Sequence, residues 1–487
     1  MPIEKGKPSG PSLGDQDLQQ RLARRRKKRE ERSRQRREEG EPARRKVAAR
    51  SRSRFEGRPR HQERWNDDEQ SLPRAPLREK RMSGPQPDRI QVHFDPEKID
   101  DSAEKVVRRL TRHGYEAYLV GGCVRDLLVG QRPKDFDVAT SARPEEVRAL
   151  FRNSRIIGRR FRLVHVLFPG GHVIETATFR KNPPASNEGG EEDLLIRSDN
   201  VFGEAHEDAQ RRDFTINGLF YDVDEKMVLD WVGGMKHIAE RTIETIGDPV
   251  VRFQEDPVRM LRAVKFAARI DFGISPGVYE ALVQCRGALA MAARPRLSEE
   301  ILRLMRGGAA HRSIWLLWEL GMLDLLVPEL ASYIADSPND EAVWAMLSEV
   351  DDQTKKRGAP LDDIVLWCAL LLEPLSEACH GASDRLRAAQ DFLEPIVERL
   401  NLPRRASDSV RRIVAMLPRL SQGKASRFKK SPLYPIAEEV HAMRIRATGG
   451  PDPRGESLGD VDMQSFSRPE RTRRPRRQRS GRSRSKR

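Results

Sequence analysis

The sequence predicts an α+β protein: a mixed-sheet head, then an all-helical neck and body, with a disordered basic arm at each end. Three observations carry this. Short β-branched runs alternate with helical periodicity between about residues 92 and 248. From Pro249 to about residue 445 the strand signals stop and helical periodicity continues. Residues 1–91 and 446–487 are poor in aliphatics and dense in charged residues, so they cannot bury enough apolar area to offset their ordering entropy.

The head reads in order. Ser102 to His113 is a helix stopped at Gly114. Tyr115 to Val120 is a strand ended by Gly121-Gly122, and Val124 to Val129 a short helix stopped by Gly130. Phe136 to Thr140 is a strand and Pro144 to Arg152 a helix. Arg155–Ile157, Leu163–Phe168 and Val173–Phe179 are strands, the last two joined by Gly170-Gly171. Lys181 to Gly190 is a loop, and NGLFYDV pairs with MVLDWV across DEK. Helices then divide into a neck, 249–310, and a body, 311–445. No short internal repeat is present.

The chain has 487 residues and a formal net charge of +16. This points to a polyanionic partner, nucleic acid ahead of an acidic membrane surface. The arms carry RLARRRKKREERSRQRREE and RPERTRRPRRQRSGRSRSKR, which would add RNA affinity by neutralising phosphates; a solvated, idle tail is the plainer alternative. Cys123, Cys285, Cys368 and Cys379 form no CxxC or zinc spacing, which fits a reducing cytosol and a cytoplasmic location. MPIEKGKPSG has no apolar core for a signal peptide. No apolar run approaches the ~18 residues of a membrane span. The longest, Ile364 to Pro374, reads as a buried helix.

Asp135 and Asp137 lie two apart in a strand, so they point to one face. Two carboxylates that close repel unless a cation stands between them, and Mg2+ suits hard oxygen donors shared with substrate phosphates. Gly121-Gly122 lets backbone N–H groups approach a phosphate, Arg125 adds charge there, and Asp126 orients Arg125 or the backbone. The alternative is an ordinary turn with two surface acids. Strand-GG-helix followed by KDFD favours the metal.

Other motifs are ambiguous from residue chemistry alone. Glu175 is a lone acid among apolar residues, structural about as often as functional. Arg211, Arg212 and Asp213 read equally as a solvated helix face. DWVGG, with Asp230, Gly233 and Gly234, is a strand end and a turn. EDPVRMLRAVKFAAR opens a helix at Asp256 or Pro257, with Asp256 and Arg259 on one face; a cap and a surface ion pair would explain them equally well. Arg262 and Arg269, on similar turns, are candidates to face phosphate or RNA.

Taken in order, GGCVRDLL, KDFDVAT, IETATFR, RRDFTINGLFYD, DWVGG and EDPVRMLRAVKFAAR resemble the motifs of class II nucleotidyltransferases of the polymerase β superfamily. That group contains bacterial poly(A) polymerases and tRNA CCA-adding enzymes. The resemblance covers about residues 92–310, weakens across 311–445 and vanishes in the arms. It implies a two-metal Mg2+ site with Glu175 completing the cluster of Asp135 and Asp137, and Asp213 counted with the catalytic acids. It places Arg180, Arg212 and Asn217 around the nucleotide beside Gly121, Gly122 and Arg125. It makes Asp256 and Arg259 the readers of the base edge. Gly218 departs from the Ala or Ser usual there, and local loosening is expected.

Ile156 to Val166, IIGRRFRLVHV, resembles the segment that marks the poly(A) polymerases, so ATP and RNA 3′ ends are the expected substrates and CCA addition the alternative. A non-catalytic RNA-binding protein on the same fold is a third reading, opposed by the retained acids. Because the expected chemistry needs no side-chain nucleophile, His165 and His172 are expected to be structural.

Overall fold

The computed structural model describes residues 84–158, 162–181 and 201–449. Nearly all of both arms, most of the loop 181–190, and Arg159 and Arg160 lie outside the described residues.

The head is built on an eight-stranded sheet of order β1-β8-β7-β2-β3-β6-β5-β4. The strands are β1 (Asp88–Gln91), β2 (Ala117–Val120), β3 (Asp137–Thr140), β4 (Ser154–Ile157), β5 (Leu163–Leu167), β6 (Val173–Thr178), β7 (Phe220–Asp222) and β8 (Met227–Asp230). The sheet is mixed: β3 and β6 are parallel, and the other neighbours are antiparallel. The head therefore begins before residue 92, because Asp88–Gln91 pairs with β8. This edge strand, DRIQ, is mostly exposed and has no apolar alternation to reveal it.

Strand β2 is buried on both faces. Ala117 and Leu119 join one apolar cluster, Tyr118 and Val120 another, as the period of two requires. Helix α1 (Asp101–Arg112) covers the first face with Ala103, Val106, Val107 and Leu110, and Asp100 caps it by accepting from the N–H groups of Ser102 and Ala103. Helix α2 (Gly122–Leu128) follows the glycine turn, and α3 (Pro144–Leu150) follows β3.

Helices α4 (Ala205–Gln210) and α5 (Gly234–Ala239) complete the head. The neck contains α6 (Pro249–Glu255), α7 (Val258–Arg269), α8 (Pro276–Cys285) and α9 (Arg294–Arg306). Against the expectation of an all-helical neck, β10 (Gly273–Ile274) pairs in parallel with β9 (Thr242–Ile243). Two-residue strands are too short to show a period. Eight more helices, from Ala310 to Thr448, form the body among the described residues. One apolar core runs from Phe214 and Ile216 of the head through Phe253, Leu317 and Leu366 to Met443. The run at Ile364 to Pro374 lies in the buried helix Asp363–Ala378, and no helix among the described residues is long and apolar enough to cross a membrane.

Candidate active site

Asp137 opens β3, and its register partners are Val120 on one side and Glu175 on the other. Val120 immediately precedes Gly121, so the glycine turn and the acids share one end of the sheet. Asp135 lies in the bend before β3 rather than inside the strand. The alternation continues through it: Asp135 and Asp137 are exposed and Phe136 between them is buried. Desolvation by the surrounding protein and repulsion from Glu175, with a smaller push from Asp135, raise the Asp137 carboxyl to about 6 against the pull of Arg212. The residue still reaches water, which screens part of that repulsion.

Glu175 is half exposed and lies 3.5 Å from His165 Nε2, its neighbour across β5. Among the described residues no three such side chains form a ready-made metal cage, so Asp135, Asp137 and Glu175 are not preassembled as a triad. The donor set still fits a hard divalent ion: carboxylate oxygens, one held in a repulsive position.

Gly121 turns with φ +74°, and a Cβ there would stand 2.7 Å from Arg212 Nη1. Arg212 is held over this turn by Asp208, whose Oδ2 accepts from Nη2 at 2.9 Å, and its Nη1 donates to the Asn217 carbonyl at 3.2 Å. Arg180 is tied to the same acid, its backbone N–H donating to Asp208 Oδ1 at 3.2 Å. Gly122 is the first residue of α2.

Arg125 packs against the turn, its Nη2 3.6 Å from where a Cβ on Gly122 would stand. It is 2% exposed, donates to Asp126 Oδ1 and to Asn217 Oδ1, and stacks over Phe266 of α7. Its guanidinium holds the scaffold of the turn. Asp126 orients Arg125, as its sequence position suggests.

Asp213 is also internal. Its Oδ1 accepts from the Phe214 N–H and Asn217 Nδ2, and its Oδ2 accepts from Arg262 Nε at 2.6 Å. Burial alone would raise its pKa; Arg262 and these hydrogen bonds hold it below the usual carboxylate value. Asp213 is thus buried whereas Asp135 and Asp137 are exposed, and Arg262, one-third exposed, is paired with it. Gly218 is tight, not loose: a Cβ would meet Val232 Cγ2 at 2.6 Å and Ile246 Cδ1 at 3.1 Å.

Asp256 and Arg259 do not form one helical face. Asp256 is the C-cap of α6, Pro257 is the N-cap of α7, and only Arg259 is helical. Arg296 of α9 grips both Asp256 oxygens, at 3.1 and 2.9 Å. Arg259 donates to Glu255 Oε2 at 2.6 Å and to the Arg252 carbonyl at 3.0 Å.

Two residues of this neighbourhood escape the motif reading. Asp208 has a local signal, an acid four residues before Arg212. Arg296 has none, since it stands 40 residues beyond Asp256.

Known proteins resemble this chain over most of its length. Residues 117–244 match the family described as the poly A polymerase head domain, and residues 271–334 that described as the probable RNA and SrmB-binding site of polymerase A. Poly(A) polymerase I of Escherichia coli O6:H1 is 38% identical over 417 residues, covering 78% of this chain and 89% of that protein. The Haemophilus influenzae poly(A) polymerase I is 35% identical, covering 74% and 84%. A CCA-adding enzyme of Bacillus licheniformis is 38% identical but matches only 45% of this chain and 53% of its own length. The Bacillus stearothermophilus CCA-adding enzyme, solved with CTP, superposes with a TM-score of 0.52 at 26% identity, covering 72% and 83%.

Proposed function

The chain belongs to the poly(A) polymerase family of nucleotidyltransferases, and from that premise we propose that it adds AMP from ATP to RNA 3′ ends without a template. The observation that carries this is the register Val120–Asp137–Glu175, which sets two carboxylates beside the Gly121 turn. In the reaction, the RNA 3′ oxygen bonds to the α-phosphorus of ATP. The bond from that phosphorus to the pyrophosphate oxygen breaks, and the hydroxyl proton passes to water.

Asp135, Asp137 and Glu175 would hold Mg2+ together with the substrate phosphates. When bound, Mg2+ supplies charge neutralisation at the attacking and leaving oxygens. Arg212, fixed over Gly121 by Asp208, offers charge to the phosphates. Gly121 leaves its backbone open to close approach. Arg180 supports the same side through Asp208. Arg125, Asn217 and Asp213 keep the turn in shape from beneath. Asp256 and Arg259 read the base: a carboxylate accepts from an exocyclic amino group and a guanidinium donates to a ring nitrogen, an order that adenine and cytosine share.

Poly(A) addition is favoured over CCA addition because the Escherichia coli poly(A) polymerase I match covers 78% of this chain, whereas that of the Bacillus licheniformis CCA-adding enzyme covers 45%. Binding of the two basic arms to RNA and a cytoplasmic location are part of the same proposal.

Product length tests it. The protein is given Mg2+, an RNA with a free 3′ end, and ATP or CTP alone, beside a tRNA lacking its terminal A. A long ladder with ATP on generic RNA is expected. A single A on the tRNA, with CTP also used, would assign CCA addition instead. Deleting residues 468–487 should flatten the salt dependence of RNA binding; an unchanged slope would show an idle arm.

A further inference from the structure

Six residues close a ring between the head and the neck. Arg269 Nη2 donates to Asp126 Oδ2 at 2.9 Å. Asp126 Oδ1 accepts from Arg125, and Arg125 Nη1 donates to Asn217 Oδ1 at 2.6 Å. Asn217 Nδ2 donates to Asp213 Oδ1 at 3.2 Å, and Asp213 Oδ2 accepts from Arg262 Nε at 2.6 Å. Arg262 and Arg269 stand seven residues apart on α7, two turns along one face. Phe266 lies between them, with the Arg125 guanidinium 4.9 Å and the Arg262 guanidinium 5.7 Å from its ring centre.

Arg125, Asp126, Asn217 and Asp213 are each at most 9% exposed. Removing one partner from such a network leaves a charge in a poorly solvated place. The ring therefore resists sliding or tilting of α7 against α2. The two elements carry different ends of the site: α2 follows the Gly121 turn, and the first turn of α7 carries Arg259 beside Asp256. Arg269 lies ten residues beyond Arg259, about 15 Å along the helix axis. It cannot touch a base held at Asp256.

We propose that Arg269, acting through Asp126, is a positioning residue for nucleotide selection: it sets the height of the base-reading helix above the phosphate-holding turn. This rests on the assignment of phosphates to the Gly121 turn and of the base to Asp256 and Arg259. Loss of Arg269 leaves Asp126 paired with Arg125, so the fold persists while the register of α7 loosens.

The full-length protein and its Arg269→Ala and Arg269→Lys variants are assayed on RNA with ATP and with CTP, and ATP and CTP binding is measured by calorimetry without RNA. Arg306→Ala, which breaks an exposed pair with Asp363 at the far end of α9 from Arg296, is the structural control. In Arg269→Ala, KM for ATP should rise about five- to tenfold with kcat within about twofold, and the preference for ATP over CTP should fall about fivefold. Arg269→Lys should recover part of both, and Arg306→Ala should change neither. Equal losses for ATP and CTP, or behaviour matching Arg306→Ala, would overturn the proposal. If the wild-type protein extends no RNA, the functional reading fails separately, and the ratio of ATP to CTP affinities decides: a ratio lowered in Arg269→Ala upholds the positioning role, and an unchanged one rejects it.

Discussion

Asp256 and Arg296 form a bidentate ion pair, 3.1 and 2.9 Å between paired atoms, that occupies both carboxylate oxygens a base amino group would use. The Arg296 side chain is more than half exposed, so the pair is worth under about 1 kcal/mol to the fold. A nucleotide read by Asp256 would compete with Arg296 for these oxygens.

Arg296→Ala should therefore lower KM for ATP about two- to threefold, with kcat and melting temperature unchanged. Steady-state kinetics check it. A higher KM would make Arg296 part of the nucleotide contact instead.

Asp137→Asn should reduce AMP transfer by at least about a thousandfold while RNA affinity is kept. It should also change stability in a defined pH window. The folded Asp137 carboxyl is raised to about 6 from an ordinary 3.8, so the native state holds the proton more tightly than the unfolded chain. Wild-type stability therefore falls, relative to Asp137→Asn, as pH rises from about 4 to about 6, and the difference is constant above that. In EDTA at pH 7.5 the variant should melt about 1–2 °C higher. Adding Mg2+ should raise the wild type more than the variant. An identical response of both to pH and to Mg2+ would remove Asp137 from the cation site.

Gly218→Ala should destabilise the protein by about 1–3 kcal/mol, because the new methyl would stand 2.6 Å from Val232 Cγ2 and 3.1 Å from Ile246 Cδ1. Val232→Ala should recover part of the loss in the double variant. Denaturant unfolding of the three proteins measures it, and a neutral Gly218→Ala would show that the surroundings relax freely.

In the body, Arg444 Nη2 donates to Glu373 Oε2 at 2.8 Å, and both side chains are nearly inaccessible. Glu373→Gln or Arg444→Met alone should cost about 3–5 kcal/mol, whereas Glu373→Leu with Arg444→Met together should return to within about 1 kcal/mol of the wild type. Urea unfolding decides: additive losses would mean that the pair is not energetically coupled.

Much of the fold is legible because its causes are local. Ala103, Val106, Val107 and Leu110 repeat at helical spacing and mark the buried face of α1. Gly121, at φ +74°, stands where the strand must end. The β1 and β9–β10 strands were not legible, since two to four residues without an apolar alternation carry no period.

Within the site, the acids Asp135 and Asp137, their shared face, and the glycine turn one strand away were legible from spacing. Backbone direction over a few residues is a local property, so spacing suffices. Packing set most of the partners of the other charged groups. Arg125 went to Asp126, Asn217 and the ring of Phe266; Asp213 went to Arg262; Asp256 went to Arg296 rather than sharing a face with Arg259. A guanidinium carries five donors on a long stem, and in a folded protein it settles with whichever acid burial leaves beside it. Asp126 stands next to Arg125 in sequence, but the other hydrogen-bonding partners named here lie 40 to 92 positions away, and no local pattern encodes them.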